Sequence, residues 1–129
     1  IHEVSLERLC FGCESYRITF RDNGSATWLT IGVARAGTID QTRTGTLSRE
    51  DFSALGDLIR RHDFLGLKDS YSDPRVVDGS TMTTTVLFGT RRKSVAHSNH
   101  AGPGSLKLIE EAIDVLSRKT AWAQPITEK

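Results

Sequence analysis

Residues 16–21, Tyr-Arg-Ile-Thr-Phe-Arg, alternate apolar and polar side chains without a break and run straight into Asp22-Asn23-Gly24-Ser25. A period of two marks a half-buried strand, because successive side chains of an extended chain point to opposite faces. Asn-Gly tolerates the positive φ of a tight hairpin, so the chain turns back and pairs with itself. Residues 26–31 are the returning strand. Its inward face stays open on pattern alone, since Trp28 and Leu29 have opposite parity.

The same period recurs around this hairpin. Residues 2–8 place Val4 and Leu6 on one face and Glu3, Ser5 and Glu7 on the other. Residues 42–47 are rich in β-branched side chains and predict a further short strand. Residues 81–88 and 91–97 predict a second hairpin around Gly89-Thr90. A two-residue turn there sets Phe88 opposite Arg91, Val86 opposite Lys93, Thr84 opposite Val95 and Met82 opposite His97, on the core side.

Two helices interrupt the strands. Ser48 is an N-cap with Asp51 three residues on, and Leu47 with Phe52 forms a hydrophobic staple. Phe52, Leu55, Ile59 and His62 follow at helical spacing. Pro103 suits the opening of a second helix, whose stripe is Leu106, Ile109, Ile113 and Leu116. Glu110, Glu111 and Asp114 are expected to face water, and Trp122 to fold back onto the core. The expected fold is α+β: an antiparallel sheet of about five to six strands with two helices on one face, in the order β-β-β-(β)-α-β-β-α. The second face of the sheet is expected to be rich in Thr, Ser, Arg and Glu and open to water or a partner. Residues 1–120 are read as one domain and 121–129 as a C-terminal tail.

Composition removes several function classes. Of 129 residues, 17 are basic and 16 acidic, a net charge of +1. Nonspecific nucleic-acid binding needs a basic surface that displaces counterions, so no nucleic-acid partner is expected. No apolar run approaches the roughly 20 residues of a membrane-spanning helix. No signal peptide is visible at Ile1, where the chain opens without Met directly in strand-like sequence, as a trimmed piece or a mature form would.

Cys10 and Cys13 are the two cysteines of the chain. They permit a small disulfide pinning a turn between strands, a thiol–disulfide redox pair, free thiols, or a share in a metal site. A reactive Cys-x-x-Cys usually opens a helix, whose N-terminus lowers the thiol pKa. Here strand sequence follows, with Glu14 beside it. His97 and His100, three apart, could bind a metal with Asp78, but His97 reads more simply as the end of a core-side strand and His100 as a polar loop residue. His62 reads as a cation at a helix C-terminus. Turn chemistry accounts for residues 73–78, where Pro74 and two valines interrupt any calcium-loop pattern. Gly102-Pro103-Gly104-Ser105 lacks the Lys-Ser/Thr of a phosphate loop. Arg91-Arg92-Lys93 reads as a solvated edge that discourages strand-to-strand pairing.

The cysteine stretch, taken with Leu6, Glu7, Arg8, Cys10, Phe11, Gly12, Cys13, Tyr16, Gly24, Tyr71, Asp78 and Trp122, resembles an uncharacterised bacterial domain family. Its members open with a strand ending Leu-Glu-Arg and a Cys-Phe-Gly-x-Cys-Pro-x-Tyr-like turn. This chain departs from the pattern in its tighter Cys-x-x-Cys spacing and in Glu14, where a proline is usual. The resemblance implies an extracytoplasmic setting, whether periplasmic, lipid-anchored or secreted, and supplies no activity. Sequence alone thus leads to a noncatalytic envelope or secreted domain that binds a protein or small ligand, with no cofactor implied. The alternative is a thiol–disulfide redox protein using Cys10 and Cys13.

Overall fold

The computed structural model describes residues 1–10, 14–31, 41–72, 80–98 and 101–123. Among these are eight strands: β1 (Glu3–Cys10), β2 (Ser15–Arg21), β3 (Ser25–Ile31), β4 (Gln41–Thr46), β5 (Ser70–Tyr71), β6 (Ser80–Phe88), β7 (Arg91–Ser98) and β8 (Ala121–Trp122). Helix α1 (Arg49–Arg61) follows β4, and α2 (Gly104–Lys119) follows β7. All eight strands join one sheet in the order β5-β7-β6-β1-β2-β3-β4-β8.

The expectation of an antiparallel sheet of five to six strands is therefore wrong. The sheet has eight strands and is mixed, because β5 runs parallel to β7, with Tyr71 opposite His97. The two strands missed, β5 and β8, form the sheet edges and are two residues long. A pair of residues carries no periodicity, so only tertiary pairing defines them. At one edge the Ala96 N–H donates to the Asp69 carbonyl at 2.9 Å. At the other, Trp122 lies opposite Gly45. Gly45 makes that approach possible, since a Cβ there would sit 2.8 Å from Trp122 Cε3 and 2.8 Å from Thr120 Cγ2.

The inner face of the sheet carries Val4, Leu6, Ile18, Phe20, Ala26, Val86 and Val95, all buried. Cross-strand register stacks them: Leu6 faces Ile18, and Val4 lies between Phe20 and Val86. Against them pack Phe52, Leu55 and Ile59 of α1 and Leu106, Ile109, Ile113 and Leu116 of α2. Trp28 faces Ile18, which turns Trp28 rather than Leu29 toward the core. The second hairpin has the register read from sequence, from Phe88 opposite Arg91 to Met82 opposite His97.

Local chemistry sets the helix ends. Ser48 Oγ accepts the Asp51 N–H at 3.1 Å, satisfying one of the free donors of the first turn of α1. Before α2, Gly102 has φ +109°, and the Tyr71 ring packs 3.3 Å from where its Cβ would be. The positive φ favours glycine there, and a side chain would press on the Tyr71 ring.

Candidate functional site

Of the metal candidates, only His97 falls among the described residues; His100 and Asp78 lie outside them. His97, next to last in β7, lies on the inner face, and its Nε2 meets Glu110 Oε2 at 2.5 Å. The two side chains are 5% and 13% exposed. Glu110 was expected to face water and does not. It lies one turn after Leu106 and three residues before Ile113, so it belongs to the edge of the buried stripe of α2. Ser117 continues that line and is also buried. Among the described residues, no group of three His, Cys, Asp or Glu is placed to hold a metal.

A row of side chains crosses the inner face at this level of the sheet. Register gives Tyr71–His97–Met82–Arg8–Tyr16–Thr30 across β5, β7, β6, β1, β2 and β3. Burial raises the Tyr16 phenol above its ordinary pKa, while Arg8, hydrogen-bonded to it, pulls the other way. The Tyr16 ring stacks on Trp28, centroids 5.0 Å apart, and Trp28 meets Trp122 edge-on at 5.8 Å. Trp122 Nε1–H donates to the Ser117 carbonyl at 2.9 Å, tying β8 to the end of α2. Among the described residues, Arg8 Nε, Thr84 Oγ1 and His97 Nδ1 are buried without a hydrogen-bond partner. All three are inner-face positions on the adjacent strands β1, β6 and β7, around Met82. This is a polar patch inside the core. Its imidazole and carboxylate fasten α2 to the sheet.

Cys10 closes β1, and Cys13 lies outside the described residues. Ser15 holds this corner: its Oγ accepts the Cys10 N–H at 2.9 Å and donates to the Cys10 carbonyl at 3.3 Å. Nothing in the sequence singles out Ser15, which stands just before the alternating run that begins at Tyr16. Within Arg91-Arg92-Lys93, the first two side chains are exposed. Lys93 instead turns inward, donating to the Leu67 carbonyl at 2.7 Å and Asp69 Oδ1 at 2.8 Å. This hydrogen bond holds the Asp69 carboxyl below its ordinary pKa. His62 is the C-cap of α1, its N–H directed to the Arg60 and Leu58 carbonyls.

The outer face has a different order. Opposed residues form one rank across six strands: Ser94, Thr85, Ser5, Thr19, Thr27 and Thr44. Every member is a hydroxyl. Two residues along the strands in one direction, Glu3 lies opposite Arg21; in the other, Glu7 lies opposite Arg17. Glu3 pairs with Arg21 at 3.4 Å and Arg92 at 3.9 Å, and Arg17 donates to Glu7. Thr85 and Ser94 share a hydrogen bond of 2.8 Å, and Arg21 Nη1 donates to Thr27 Oγ1 at 3.0 Å. Glu3, Ser5, Glu7, Arg17, Thr19, Arg21, Thr83, Thr85, Arg92 and Ser94 line a shallow open depression. Both helices pack on the opposite side. The polar composition of this face is legible in the alternation; its alignment into a rank requires the register.

Fold and surface together define a class: an open-faced sheet with two helices on one side and an ordered polar face on the other. The chain belongs to the DUF6438 family, a domain of unknown function, whose model matches residues 3–117. That span opens with β1 and reaches the last turn of α2. No curated protein matches the chain. Among the described residues, no helix is long and apolar enough to cross a membrane.

Proposed function

We propose that this chain is a noncatalytic binding domain that meets a protein or small ligand on the outer face of its sheet. We place it in an extracytoplasmic setting, with Cys10 and Cys13 joined across the first turn. One observation carries the reading: the hydroxyl rank between two Glu–Arg pairs, on a face that neither helix covers. Threonine suits strands and pairs across them, so the rank also serves the sheet; its setting between two Glu–Arg pairs on an uncovered face is what favours recognition. A surface that recognises something must present donors and acceptors at fixed positions. The titratable cluster of the core supports the same reading, since His97 and Glu110 are enclosed on the other face.

The test is residue-resolved. Isotope-labelled protein is titrated with panels of peptides, oligosaccharides and nucleotides. Expected are amide shifts centred on Ser5, Thr19, Thr27 and Thr85 that vanish in Thr19→Arg. Turnover of any compound, abolished by a single side-chain change, would overturn it. The bridge is tested by alkylating the denatured, unreduced protein: two modified cysteines refute it.

A further inference from the structure

We infer that the partner of the outer face is a second copy of this chain, docked face to face about a twofold axis running parallel to the strands between β1 and β2. This rests on the reading of that face as the binding surface and names its occupant.

The charge pattern is self-complementary in one orientation only. The acidic pair, Glu3 and Glu7, stands on β1; the basic pair, Arg21 and Arg17, stands opposite on β2. A twofold axis along the strands carries β1 of one copy over β2 of the other while keeping height along the strand. Glu3 then lies over the partner's Arg21, and Glu7 over the partner's Arg17. Ser5 meets the partner's Thr19, Thr85 the partner's Thr27, and Ser94 the partner's Thr44. Rank stacks on rank; Thr19 is largely covered by its own neighbours, so Ser5, Thr27, Thr44, Thr85 and Ser94 are the hydroxyls in reach, each able to donate and accept. A twofold axis across the strands, along the rank, does the reverse. It sets Glu3 over Glu7 and Arg17 over Arg21, so like-charge contact rejects that orientation.

Each contact is made twice by symmetry, as in the isologous interface of a twofold dimer. The guanidiniums have capacity for it. The side chains of Arg17, Arg21 and Arg92 are 50%, 38% and 60% exposed. Each arginine has five donors, more than its contacts within the chain employ. The six central strands, at about 4.8 Å apart and seven residues of about 3.3 Å long, project roughly 650 Å². A standard interface takes about 800 Å² of accessible surface from each partner, and side-chain relief raises the projected figure toward it. Packed sheets cross at about 30°, which displaces the outer strands most and β1 and β2 least. The result is four layers, helix–sheet–sheet–helix.

Sedimentation equilibrium from micromolar to millimolar chain tests this, with circular dichroism to confirm folding. The wild-type chain is expected to show a monomer–dimer equilibrium that weakens with added salt. Glu3→Arg with Glu7→Arg weakens it by at least about tenfold, through like-charge contact. Adding Arg17→Glu and Arg21→Glu to the same chain exchanges the two columns and keeps both β1–β2 pairs, and Arg92→Glu, added with them, restores the pair that Glu3 makes with Arg92. That fivefold variant is expected to dimerise with itself and not with wild type. A monomer throughout the range overturns the inference. So does a dimer indifferent to the double reversal, as one built on exposed Leu108 and Val115 of α2 would be. If the monomeric protein still shows outer-face shifts with a small ligand, the binding-face reading stands and the self-pairing alone falls.

Discussion

His97 and Glu110, thirteen residues apart in the chain, meet at 2.5 Å where β7 passes beneath α2. A polar contact in this position adds to the apolar packing around it a directional tie between one turn of the helix and one residue of the strand. Hydrogen bonds that involve a charged group contribute roughly 1.5–3 kcal/mol, and a buried partner left unpaired adds to the cost of breaking one. Glu110→Ala is therefore expected to lower unfolding free energy by about 2–3 kcal/mol in urea titrations. Glu110→Gln should lose less, because its amide oxygen still accepts from His97. Glu111→Ala, one residue on and exposed, should stay within about 0.5 kcal/mol. Equal losses at 110 and 111 would show that the contact holds nothing.

Thr84 gives the opposite sign. It is fully buried between Leu6 and Val95, and its hydroxyl has no partner among the described residues. An unsatisfied buried hydroxyl costs roughly 1–3 kcal/mol, and valine has nearly the same shape. Thr84→Val should raise the urea midpoint, with a gain of about 1 kcal/mol at unchanged m-value. A loss of stability would place a bound partner on that hydroxyl.

The sequence disclosed some of this and withheld the rest for definite reasons. Long alternating strands and a capped helix declare themselves within a few neighbours, so Ser48, the Asn23-Gly24 turn and the pairing of Val86 with Lys93 were all readable. Trp28 and Leu29 competed for the core on equal terms until Ile18, across the hairpin, decided between them. Glu110 was misread because charge outweighed position. Its spacing from Leu106 and Ile113 already placed it on the stripe, and only His97 across the core makes a carboxylate acceptable there. The edges β5 and β8 are made by contact with β7 and β4, and nothing local encodes them. The outer rank combines residues from six strands, so it exists only once their registers are set.

Tyr16 makes the stability depend on alkaline pH. Burial favours the neutral phenol, and its folded pKa lies above the ordinary value despite the opposing pull of Arg8. Below about pH 10 the phenol is neutral in folded and unfolded chains alike, so its contribution is complete. As pH rises further, the unfolded chain ionises first, and stability falls until pH has passed through the folded value. Urea midpoints followed through that window should decline more steeply for wild type than for Tyr16→Phe. Parallel curves would mean that Tyr16 ionises as freely in the fold as outside it.

Gly45 and Gly56 separate two uses of one residue. At Gly45 a methyl would press on Thr120, on the Trp122 ring and, at 3.0 Å, on the Ala121 carbonyl. Gly45→Ala must therefore lift β8 from β4 or displace the Trp122 ring, at roughly 1–3 kcal/mol for overpacking. Trp122 contacts Trp28, which stacks on Tyr16, so the tryptophan emission should shift with it. At Gly56, inside α1, the same methyl would find its nearest neighbour, Ile1 Cδ1, at an ordinary 3.6 Å. There alanine only relieves the entropy lost by a helical glycine, and Gly56→Ala should stabilise by roughly 0.5–1 kcal/mol without touching emission. Thermal melts of the two variants, read by circular dichroism and by fluorescence, should move in opposite directions from wild type. If Gly45→Ala melts no lower and emits unchanged, the edge strand β8 does not lean on Gly45 as described.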